Sequence, residues 1–123
     1  MILVDTNVVS EVMKVAPSET VVTWLNNQTS SSLFISTITI GEIEYGLRTL
    51  PAGKRRMRLK ERFERFISLA FAQRVLPYDE TAARTYGDIM GFRKEIGHPM
   101  SIPDGQIAAI AKINGLTIST WNT

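Results

Sequence analysis

The chain has 123 residues, 14 of them Lys or Arg and 12 Asp or Glu, for a formal net charge of +2. That length suits one domain around one core, and the absence of cysteine excludes disulfides and thiolate metal ligands and fits a reducing compartment. No apolar run approaches the roughly 18 residues of a membrane span, and no basic-then-apolar leader opens the chain, so a soluble cytoplasmic protein is expected.

The opening stretch MILVDTNVVS organises the rest. Ile2, Leu3 and Val4 form an apolar run without alternation, the pattern of a strand buried on both faces of a parallel sheet. Thr6 or Asn7 is then expected to cap a helix whose Val8, Val9, Val12 and Met13 share one face. Asp5 falls where strand gives way to helix, the edge at which open α/β sheets bind ligands. A carboxylate there either accepts hydrogen bonds from the following turn or meets a positive charge. The stretch alone leaves both readings open.

Pro17 breaks the first helix, and Ser18 can cap a second containing Val21, Val22, Trp24 and Leu25. Residues 26–32 are polar and read as a loop. Leu33 to Ser36 is a second short strand, followed by a helix over 37–49 that Pro51 and Gly53 end. Residues 54–72 form a long amphipathic helix, with Leu59, Phe63, Phe66, Ile67 and Ala70 on one side and Arg55, Arg58, Arg62 and Arg65 in a stripe beside them. Residues 54–65 hold seven basic side chains against two acids, so a basic element sits on a body of seven basic and ten acidic residues. Val75 and Leu76 are a third strand. Asp79 caps a helix to about Ile96, with Ala82, Tyr86, Ile89, Met90 and Phe92 as candidate core residues and Gly97 as its stop. An alanine-rich helix over 101–114 and a strand over 116–120 complete the series. Strands alternating with helices predict an α/β fold: a central parallel sheet with right-handed crossovers, flanked by helices in three α/β/α layers.

Two further acids accompany Asp5. Glu42 lies near the start of the helix after strand two, and Asp104 near the start of the helix before strand four. Parallel strands bring all three to one edge, together with Asn122 just beyond the last strand. Helical spacing puts Glu42 with Ile38 and Tyr45, and Asp104 with Ile107 and Ala111, so both are expected to point inward and Glu44 outward to solvent. Each acid taken singly reads as a cap: Thr39-x-x-Glu42 fits a capping box and Ser101-x-x-Asp104 nearly does. Three carboxylates converging on one edge repel one another unless a cation sits among them. An oxygen-only donor set selects Mg²⁺ or Mn²⁺, an ion that activates water and neutralises a phosphodiester.

The segments ILVDTNVVSE, ISTITIGEIEYGL, LPYDETAARTYG and PDGQIAAIAKINGLTIST, in this order and spacing, resemble the PIN-domain ribonuclease toxins of the VapC and FitB type over essentially the whole chain. The resemblance implies a PIN fold, Mg²⁺ or Mn²⁺ held by Asp5, Glu42 and Asp104, and hydrolysis of RNA. It also implies a homodimer and inhibition by a cognate antitoxin, the complex sitting on operator DNA through the antitoxin. Asn7, Thr120 and Asn122 would support the site. Thr120 and Asn122 match the family's ending, Trp121 replaces its usual Arg, and the later acid is missing, so residues 1–123 are read as a single PIN domain lacking its C-terminal segment.

Other chemistry is disfavoured. His98 is the lone histidine, in a loop, and no Ser–His–Asp set or Gly-rich phosphate loop can be assembled. A phosphatase using Asp5 as nucleophile would want an acid where Asn7 stands. The remaining alternative is a PIN-like module that grips RNA or a protein without cutting. Arg55, Arg58 and Arg62 are candidates for such contacts, because arginines beside an apolar stripe suit a partner segment or RNA phosphates.

Overall fold

A computed structural model describes residues 1–119. The strands are β1 (Ile2–Val4), β2 (Leu33–Ser36), β3 (Val75–Leu76) and β4 (Thr117–Ser119). The helices are α1 (Thr6–Val12), α2 (Glu19–Asn26), α3 (Thr37–Arg48), α4 (Lys54–Ala70), α5 (Glu80–Glu95) and α6 (Ile102–Ile113). The sheet runs β3-β2-β1-β4 with every neighbouring pair parallel. Leu3 stands opposite Phe34 on one side and Ile118 on the other, so β1 is interior, as its unbroken apolar run requires.

Alternate residues feed two cores. Val4 and Ile35 point into a layer built from α1 to α4, where Val9, Phe63 and Phe71 are buried. Leu3 points the other way, onto Ala82 of α5 and Ile107 and Ile110 of α6. This is the three-layer α/β/α arrangement that the sequence pattern predicts.

The small residues of α6 set how near it comes to its neighbours. Ala109 and Ala111 are buried. A Cβ at Gly105 would stand 2.5 Å from Met90 Sδ and 3.0 Å from Tyr86, so α5 and α6 meet there without room for a side chain. Gly97 and Gly115 end α5 and α6 at φ of 77° and 66°, a left-handed turn that glycine adopts without steric cost.

Several expectations need correction. Phe92 is 58% exposed rather than part of the core. The polar stretch before β2 contains a 3-10 turn at Ser30–Ser32. Glu44 faces solvent as expected, with its side chain 43% exposed, and it also pairs with Lys60 of α4, which reaches Glu64 at 3.0 Å. Glu11 has a role that the apolar pattern conceals. It is buried at 5% exposure, accepting from Lys14 Nζ at 2.9 Å and from the Ser18 N–H at 3.0 Å, and so fixes the bend between α1 and α2.

Candidate active site

The C-terminal ends of β1 and β2 and the first turn of α6 build the site. Asp5 leaves β1 still extended and still paired, its N–H donating to Ser119 O at 3.2 Å. Its Oδ1 accepts the Asn7 N–H at 2.6 Å, so Asp5 itself is the N-cap of α1, not Thr6 or Asn7. The helix begins one residue early because an aspartate at the strand end can satisfy the first orphan N–H directly. Asn7 is exposed, and its contribution is this backbone N–H.

A similar correction holds at α3. Ser36, not Thr39, is the cap, with its Oγ accepting the Thr39 N–H at 3.1 Å. Glu42, half-buried one turn further on, is thereby free of capping duty, and its Oε1 accepts from Thr6 Oγ1 at 2.7 Å. Asp104 stands in the first turn of α6, its N–H donating to Ser101 Oγ at 3.3 Å. Asp104 is exposed rather than packed against the sheet. Asp79 is the N-cap of α5, as expected, accepting from the Ala82 N–H at 2.9 Å.

The three acids share one electrostatic environment. Burial raises the Asp5 carboxyl above its usual pKa, the Asn7 N–H partly opposes this, and the negative charges of Asp104 and Glu42 push it up further. Among the described residues no group of three or more Asp, Glu, His or Cys side chains stands close enough, as placed, to hold a metal ion between them. A cation that keeps several of its own waters does not need one. The available donors are all carboxylate or hydroxyl oxygens, Asp104 is open to solvent, and each Asp5 and Glu42 carboxylate has one oxygen engaged by a neighbour. This donor set fits a hard divalent ion such as Mg²⁺ or Mn²⁺.

Glu42 also faces a groove of about 970 Å³ between α1, α3 and α4, with Met13, Ile43, Leu47 and Leu59 in its floor and Lys14, Arg55 and Arg58 along its side. The arginine stripe divides here. Arg55, Arg58 and Arg62 are all exposed along the groove, and Arg62 Nη1 in addition donates to Met13 O at 3.0 Å and Lys14 O at 3.2 Å and so ties α4 to the end of α1. Thr120, Trp121 and Asn122 lie outside the described residues. His98 is exposed in its loop.

Sequence reasoning overlooked the hydroxyls beneath Glu42. Thr6 Oγ1 lies 2.9 Å from Thr39 Oγ1, which in turn lies 3.3 Å from Ser36 Oγ. The available signal was Ser36-x-x-Thr39-x-x-Glu42, a helical spacing that stacks all three on one side of the first two turns.

Comparison with known proteins agrees with this architecture. The PIN domain family matches residues 2–122. The VapC ribonuclease Y4jK of Sinorhizobium fredii is 42% identical over 123 residues, all of this chain and 88% of the relative. Toxin FitB of Neisseria gonorrhoeae is likewise 42% identical over the same shares. The crystal structure of FitAcB from that organism superposes with a TM-score of 0.91 at 41% identity, covering 100% of this chain and 88% of the other. DNA-bound VapBC from Salmonella typhimurium gives a TM-score of 0.81 at 28% identity, covering 98% of both chains. The family match spans nearly the whole chain, and the chain belongs to the PIN-domain family.

Proposed function

We propose that the chain is a Mg²⁺- or Mn²⁺-dependent endoribonuclease, the toxin of a toxin–antitoxin pair. The observation that carries this reading is that the charges of Asp104 and Glu42 both bear on Asp5 at the sheet edge. Such mutual repulsion is costly without a cation. Relatives named as a VapC ribonuclease and as toxin FitB support the activity class.

Asp5, Glu42 and Asp104 would hold the ion, directly or through water, with Thr120 and Asn122 assisting. Bound there, the ion supplies charge neutralisation at a phosphodiester and a more acidic water. The chain's own residues do the positioning. Asn7 holds Asp5 Oδ1, Thr6 holds Glu42 Oε1, and Asp104 stands at the open side where an RNA backbone can approach. The reaction is hydrolysis, with no covalent link between protein and RNA.

The groove beside Glu42 suits a cognate antitoxin. Its apolar floor would receive one face of an amphipathic segment, and Arg55 and Arg58 would meet acidic side chains or RNA phosphates. A homodimer, and a complex reaching operator DNA through the antitoxin, complete the proposal; the DNA-bound VapBC relative supports the latter.

The test is RNA cleavage by the purified chain with Mg²⁺ or Mn²⁺. Cutting should stop with a chelator and in Asp5→Asn and Asp104→Asn, and persist in Glu44→Gln. Wild-type rates in both aspartate variants would overturn the assignment and favour a module that binds without cutting. Sequencing the 5′ ends of the fragments then identifies the RNA.

A further inference from the structure

The geometry points to Thr6, Thr39 and Ser36 as positioning residues that fix Glu42 for the cation through a one-directional chain of hydroxyls. This rests on the reading of Glu42 as a cation-holding side chain. Each hydroxyl has one proton to donate, and that count sets the direction. Thr6 gives its proton to Glu42 Oε1 at 2.7 Å, so the 2.9 Å contact between Thr6 and Thr39 must be donated by Thr39. Thr39 has then spent its proton, so at the 3.3 Å contact Ser36 is the donor. The Ser36 oxygen is held in turn by the Thr39 backbone N–H at 3.1 Å. The chain therefore starts at a helix cap and ends on a carboxylate, with every proton pointing toward Glu42.

Burial gives this order its force. Ser36 and Thr39 are fully buried, so no solvent competes for their protons. Without a donor from Thr39, the Thr6 hydroxyl could rotate away from the carboxylate. With one, its lone pair is committed to Thr39 and its proton to Glu42. Glu42 Oε1 is thereby occupied, and Oε2, which accepts from no described residue, is the oxygen presented to a ligand. Partners behind a metal-holding side chain orient it, and removing them commonly costs 10–100-fold in metal affinity.

The test uses the purified full chain and Mn²⁺ titration, with thermal melting in the absence of metal. Thr39→Val keeps the side-chain shape and the backbone N–H that holds Ser36, but deletes the link. It should weaken Mn²⁺ binding about tenfold, and Thr39→Ser should restore most of the affinity. If Thr39→Val does not fold, the half-buried Thr6→Val and Thr6→Ser carry the same comparison. Glu42→Gln separates the two claims. If it weakens Mn²⁺ binding while the folded valine variants bind like wild type, the hydroxyl chain is overturned and the cation reading stands. If it leaves Mn²⁺ affinity unchanged, the cation reading fails and the proposal with it. A metal-free double-mutant cycle of Thr6→Val with Glu42→Ala, which removes the acceptor that glutamine would keep, reports the coupling independently: non-additive melting shifts support the chain, and additive shifts oppose it.

Discussion

Asp5 does two jobs that one substitution can separate. It caps α1 through Oδ1, and it carries a charge opposed by burial, Asp104 and Glu42. Asparagine caps a helix about as well as aspartate, while alanine loses about 1 kcal/mol at such a position. Asp5→Asn should therefore melt at or above the wild-type temperature without metal, Asp5→Ala should melt below it, and both should lose cleavage. Differential scanning of the metal-free proteins checks the ordering. The pH dependence follows from the raised carboxyl. The folded state holds this proton more tightly than the unfolded chain, so the associated stability is present at acid pH and lost as pH rises through the folded-state pKa. Melting of Asp5→Asn should lack that component. Sequence reading found the acid, the edge and a hydrogen bond from the following turn as one of two roles for Asp5, but named Thr6 or Asn7 as the helix cap, because both are equally good capping types. Which residue caps is decided by where β1 stops pairing, a tertiary fact.

At the scale of elements, the glycines of α3 and α6 make opposite predictions. Gly46 lies within α3, is exposed, and has nothing within 4 Å of where a Cβ would stand. Gly46→Ala should stabilise by up to about 1 kcal/mol through helix propensity. Gly105→Ala should lower the melting temperature, since its Cβ would drive Met90 and the edge-stacked Tyr86 away from α6. Periodicity made every α-helix legible within a few residues, yet could not tell these two glycines apart. The difference lies in a neighbouring helix, not in the local sequence. The same limit explains Phe92, whose spacing fits a buried face but whose position near the end of α5 reaches past the core.

For the whole molecule, the basic stripe of α4 should behave as two groups. Arg55 and Arg58 stand free along the groove, so Arg55→Glu with Arg58→Glu should weaken binding of RNA or antitoxin and flatten its salt dependence with little change in melting. Arg62→Ala should instead lower stability, because two carbonyls at the end of α1 lose their donor. Salt-dependent affinity beside thermal melting distinguishes them; a loss of stability from the Arg55 and Arg58 changes would contradict the division. The sequence shows the stripe as continuous. Only the approach of α1 gives Arg62 a structural tie that Arg55 and Arg58 lack.

The strand order has a consequence in time. β1 precedes the other three strands along the chain, yet one of its two flanking strands is β4, and Val4 pairs with Ser119. Asp5 and Glu42 leave the ribosome early, but Asp104 arrives only with α6, and the Asp5 N–H finds its acceptor only in β4. At ordinary elongation speeds of about 5–20 residues per second, the edge that carries the acids stays open for seconds while the chain grows. A nascent chain of this topology has no complete acidic edge until its last described strand is in place.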